Sequence, residues 1–110
     1  MVVAYVLATD ESLAAALLQR LGQADGIVAA RFGEEARPGP RSFVLAPVRD
    51  CSPTRCAELV RDGFGVVVLA PVVREAERER YLDAGATAYL PMVVDFALLV
   101  RALRGPVLCC

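Results

Sequence analysis

Apolar residues along this chain gather into short, dense runs, and these alternate with stretches where they recur every three or four positions. Residues 2–8 are continuously apolar and rich in β-branched side chains, and Thr9-Asp10-Glu11-Ser12 follows at once. That order predicts a buried strand leading into a helix whose first turn carries acidic residues. Leu13, Leu17, Leu18 and Leu21 keep one helical face, and Gly22 is placed to end it. A second strand is expected over residues 27–32. After it, Gly33-Glu34-Glu35-Ala36 opens at most a stunted helix before Pro38-Gly39-Pro40 breaks it.

The pattern then repeats. Residues 42–48 predict a third strand, with Pro47 confined to its end because it has no N–H to give to a ladder. Ser52 and Pro53 form a cap and first-turn pair for a third helix, whose face carries Cys56, Leu59 and Val60 and which Gly63 closes. Residues 65–70 are the most strand-like run in the chain. Over residues 74–84 the pattern turns highly charged, Glu75 and Glu77 each standing three residues before an Arg, which predicts a mostly solvated fourth helix ending at Gly85. A short fifth strand is expected over residues 87–90. Asp95 then caps a fifth helix with Phe96, Leu99, Val100 and Leu103 on one face, and Gly105-Pro106 stops it.

Five strands alternating with helices require right-handed crossovers and a parallel sheet covered on both faces. The expected architecture is a single α/β domain of flavodoxin-like, CheY-like type over residues 1–106, strand order 2-1-3-4-5, with the second helix shortened and a tail over 107–110. Any site belongs at the carboxyl ends of the strands. The length of 110 residues suits one domain, and a hydrophobic share of 56% fits strands buried on two faces.

Composition mainly excludes. The formal net charge is -1 and the Arg residues are scattered from Arg20 to Arg104, so there is no electrostatic footprint for direct contact with nucleic acid. No His is present, which removes the commonest general base and metal ligand. No apolar stretch approaches the roughly 20 residues a membrane-spanning helix needs, and without a basic leader the expected location is the cytoplasm. Cys51, Cys56, Cys109 and Cys110 do not follow the usual spacing of a zinc site, so they are expected as reduced thiols with no metal or cofactor.

The segment Asp83-Ala84-Gly85-Ala86-Thr87-Ala88-Tyr89-Leu90 resembles the end of the receiver domain of bacterial response regulators, where a helix runs into Gly-Ala, two variable positions and an aromatic. Leu7-Ala8-Thr9-Asp10-Glu11-Ser12-Leu13 is similar to the family's first strand and acidic pair, and Phe32-Gly33-Glu34-Glu35-Ala36 to its second-strand junction. Receiver chemistry uses an acidic pocket for Mg²⁺, an Asp acceptor ending strand three, a hydroxyl after strand four and a Lys after strand five. The cation and the Lys neutralise charge that develops on the transferred phosphoryl group.

Carried over residue by residue, the resemblance implies a degenerate phospho-site. Thr9 stands at the first acidic position and Asp10 at the second, Pro47 at the acceptor, Ala70 at the hydroxyl, and Met92 at the Lys, or Pro91 if one residue is deleted. Pro47 offers no nucleophile, and Asp50, the nearest acid, lies three residues on in a loop. The expectation is a pseudo-receiver, not an enzyme, that acts through a protein partner or by dimerising and regulates an output domain such as a transcription factor. In the family the fourth helix, fifth strand and fifth helix form such a surface, which points here to Arg74, Glu75, Arg78, Glu79, Tyr89, Arg101 and Arg104. The simpler readings are a solvated charged face, a partly buried Tyr89 on an edge strand and an Asp10 that stabilises a helix start. A second hypothesis places a small-molecule ligand in the vacated pocket between Thr9, Pro47, Ala70 and Met92.

Overall fold

A computed structural model describes residues 2–92 together with 101 and 103. Five strands, β1 (Val2–Val6), β2 (Ile27–Arg31), β3 (Ser42–Pro47), β4 (Gly65–Ala70) and β5 (Ala88–Pro91), form one sheet in the order β2-β1-β3-β4-β5. Every pairing is parallel, with Val6 opposite Leu45, Pro47 opposite Leu69 and Ala70 opposite Pro91. Three helices are described: α1 (Glu11–Gly22), α2 (Pro53–Arg61) and α3 (Glu75–Asp83). They correspond to the first, third and fourth helices expected from the sequence.

Successive residues of a strand point to opposite faces, so a run buried throughout must be covered twice. Leu45, Val67 and Leu69 pack with Val2, Ala4, Val6 and Ile27 beneath α1, through Ala14 and Leu21. Val44, Ala46, Val66, Val68 and Ala70 pack the other way, against Cys56 and Leu59 of α2 and Tyr81 of α3. Leu103 is buried on the α1 side, and Arg101 is exposed; both are helical, in the span where the fifth helix is expected. The Asp95 cap, Phe96, Leu99, Val100, Arg104, Cys109, Cys110 and the 107–110 tail lie outside the described residues.

Local signals operate as their chemistry dictates. Asp10 caps α1 by accepting the Leu13 N–H at 3.1 Å, and Ser52 caps α2 by accepting that of Arg55 at 3.1 Å, with Pro53 in the first turn. The stunted second helix is a correction: residues 32–41 contain no helix. Pro38 and Pro40 withdraw two N–H groups and disfavour helical backbone at Arg37 and Gly39, so the segment stops at one turn, Ala36 N–H to Gly33 carbonyl at 3.0 Å.

Rings fill the space over β1 that a helix would cover. Tyr5, Phe32 and Phe64 meet edge to face with centroids 5.7 to 6.4 Å apart. The Tyr5 hydroxyl accepts the Arg37 N–H at 3.1 Å and so straps the crossover down.

Gly85 terminates α3 with φ of +103°, a conformation that L side chains rarely adopt. A Cβ there would also stand 3.0 Å from Val60 Cγ1 of α2. Gly85→Ala is therefore expected to lower stability by about 1–3 kcal/mol in urea denaturation. Gly22→Ala, at the end of α1 with nothing within 4 Å of the added carbon, should leave the midpoint unchanged or raise it slightly.

Candidate functional site

The carboxyl ends of the strands bring the expected site positions to one rim of the sheet. Thr9 and Asp10 follow β1, Pro47 ends β3, Ala70 ends β4, and Met92 follows β5 with its N–H donating to the Ala70 carbonyl at 2.7 Å. Pro47 and Ala70 are fully buried, so each presents packing surface instead of a reactive group. Met92 is half-buried against the α1-side core. Asp10 and Thr9 are exposed, and Asp10 spends one carboxylate oxygen on the α1 cap.

Sequence reasoning set Asp50 aside because it lies beyond the end of β3. The structure returns it to the rim. A single 3-10 turn over Val48–Asp50 folds the chain back, and Thr9 then donates to the Asp50 carboxylate twice, from its hydroxyl at 2.7 Å and from its N–H at 3.3 Å. This contact ties the loop after β1 to the loop after β3 across 41 residues of chain. It places the Asp50 carboxylate beside the position where the resemblance implies the first acidic group. Among the described residues no group of three or more His, Cys, Asp or Glu side chains converges on a metal position.

The same turn shapes the neighbouring surface. Val48 and Arg49 form one wall of an open groove of about 270 Å³, and Pro71, Val72, Arg74 and Glu77 form the other. The groove lies one residue beyond Pro47 and Ala70 on each strand, outside the expected site positions themselves.

No protein-family model matches the sequence, and no curated protein matches it. Solved structures do. A response regulator receiver protein from Pseudoalteromonas atlantica superposes with a TM-score of 0.75 at 15% identity, over 93% of each chain. The structure described as FixJ-N gives 0.75 at 13% identity, over 99% of this chain and 98% of its own. The chain has the receiver fold. At these identities the likeness resides in the backbone path. No helix among the described residues is long and apolar enough to cross a membrane.

Tyr89, on β5, turns inward and is only 7% exposed. Little of its side chain is left on the surface where a partner would meet it. Its ring stacks on Tyr81 of α3, centroids 5.9 Å apart and planes 18° from parallel. Its hydroxyl donates to Glu77 and accepts the Arg74 N–H at 3.2 Å. The Tyr81 hydroxyl in turn donates to the Cys51 carbonyl at 2.5 Å, so α3, β5 and the loop after β3 share one hydrogen-bonded wall.

Arg74, Glu75, Arg78 and Glu79 are exposed along α3 and its start, with Arg78 paired to Glu75 at 3.3 Å. Such exposed pairs contribute little stability.

Burial pushes the Tyr81 phenol up to about 12, with the nearby Cys51 and Glu77 charges adding to it. It pushes the Cys51 thiol up to about 11, with Cys56 adding. Both groups ionise at lower pH in the unfolded chain, so the folded state keeps protons that the unfolded state has lost and stability falls as pH rises. The urea midpoint is expected to decline from about pH 9 through about pH 12. Tyr81→Phe should flatten the upper part of that decline and Cys51→Ala the lower part. At neutral pH, Tyr81→Phe should also cost about 1–3 kcal/mol, because the buried Cys51 carbonyl loses its donor.

Proposed function

We propose that this chain is a signalling module of the receiver type that works without aspartyl phosphorylation. The observation that carries the reading is Pro47, fully buried as the last residue of β3, where a receiver presents its acceptor carboxylate. Proline has no nucleophilic atom to take a phosphoryl group. Ala70 and Met92 bring neither hydroxyl nor cation to the neighbouring strand ends, which leaves developing phosphoryl charge without a counter-charge. Asp50 is held as the acceptor of two Thr9 hydrogen bonds, a structural tie between loops.

A module of this kind binds instead of catalysing. Its output runs through a protein partner or a second copy of the chain, on a surface made by α3, β5 and the helical stretch that includes Arg101. It regulates an attached or separate effector such as a transcription factor, in the cytoplasm. The inward Tyr89, held by Glu77 and the Arg74 backbone, supports a surface in one fixed state with no phosphorylation-dependent swing.

The test is incubation of the protein with acetyl phosphate, or with beryllofluoride, in the presence of Mg²⁺. The intact mass and the amide chemical shifts at the strand ends are expected to stay unchanged. A stoichiometric adduct on Asp50 or Asp10, or beryllofluoride shifts centred on Thr9 and Asp50, would overturn the reading.

A further inference from the structure

The groove between the turn after β3 and the loop after β4 has a chemistry that the packing of the fold does not require. Its apolar lining is Val48, Pro71 and Val72, with Val72 left 60% exposed. Its charged lining is two arginines, one from each wall, and one glutamate. The glutamate, Glu77, is engaged as the acceptor of the Tyr89 hydroxyl. The other acid of the first turn of α3, Glu75, is paired with Arg78. Arg49 and Arg74 have no ion pair among the described residues.

The position of Arg74 is itself unfavourable for the fold. It occupies the N-cap of α3 and supplies no side-chain acceptor to the first-turn N–H groups. A guanidinium there adds positive charge to the positive end of the helix dipole. An anion seated between Arg49 and Arg74 would relieve that repulsion and meet two planar donors suited to a carboxylate.

We propose that this groove binds a small organic anion, an apolar skeleton bearing a single carboxylate. The skeleton lies on Val48, Pro71 and Val72, and the carboxylate reaches Arg49 and Arg74. The volume of about 270 Å³ falls just below the range of ligand pockets, which run from about 300 Å³ upward, so it suits a small molecule and is too small for a peptide helix about 10 Å across. The site stands apart from the question of phosphorylation, since it uses none of Thr9, Pro47, Ala70 or Met92.

The experiment is a titration of the full, isotope-labelled chain with benzoate, with its neutral counterpart benzyl alcohol and with inorganic phosphate, followed by amide shifts and calorimetry. Benzoate is expected to move the amides of Val48, Arg49, Val72 and Arg74 saturably, and benzyl alcohol and phosphate to bind at least about tenfold more weakly. Arg49→Gln and Arg74→Gln should each weaken benzoate by about tenfold, the urea midpoint staying unchanged in the first and unchanged or slightly raised in the second, and Arg55→Gln should leave benzoate binding as it is. Equal binding of benzyl alcohol would overturn the proposal in favour of simple apolar adsorption. Equal binding of phosphate would overturn it in favour of an anion site that makes no use of the apolar lining. Benzoate shifts elsewhere, or none up to tens of millimolar, would also overturn it, as would insensitivity to both substitutions.

Discussion

The parallel pairing of β3 with β4, buried on both faces, is the constraint from which the rest of this molecule follows. Val44, Leu45, Val66, Val67, Val68 and Leu69 are all fully enclosed, and each such side chain contributes about 1.5–3 kcal/mol by leaving water. Their alternation demands one layer of cover from α1 and another from α2 and α3. The same pair sets Pro47 opposite Leu69 and so brings the loops after the two strands side by side at one rim. The 3-10 turn after β3, the groove and the stacked tyrosines all hang from that register.

What was legible in the sequence depended on how local the governing physics is. The strands could be read because residues 65–70 and their neighbours are apolar without interruption, which double-sided burial imposes. Asp10 and Ser52 could be read as caps because their acceptor oxygens act on N–H groups three residues away. The missing second helix was half legible: Pro38 and Pro40 announced a break, but the three rings that take its place come from β1, the end of β2 and the start of β4. The return of Asp50 to Thr9 was not legible, since a single turn decides it and the partners are 41 residues apart. Nor were the partners of the Tyr89 hydroxyl, Glu77 and the Arg74 N–H, which belong to α3 and its start and not to its own strand.

Likeness to receiver structures at 13% and 15% identity shows how few side chains the backbone path requires. What holds it in this chain includes apolar runs of the right length, a glycine where α3 stops and caps at two helix starts. The rim places no comparable demand on the core. Apolar Pro47 and Ala70 extend the packed interior to the strand ends, and the charge at that rim comes instead from the loops, through Asp50, Arg49 and Arg74.

The crossover from β2 to β3 carries a different consequence. With no helix of its own, this stretch possesses no internal ladder of hydrogen bonds, and its order is borrowed from a tyrosine hydroxyl on β1 and from Pro38 lying against Gly63 at the end of α2. Such a segment does not melt as a separate cooperative unit. It opens by detaching, together with the edge strand β2 that it follows, at a free-energy cost below that of the whole domain. Slow amide exchange would then end abruptly at β1, and the first protease nick or tolerated insertion would fall between Phe32 and Arg41.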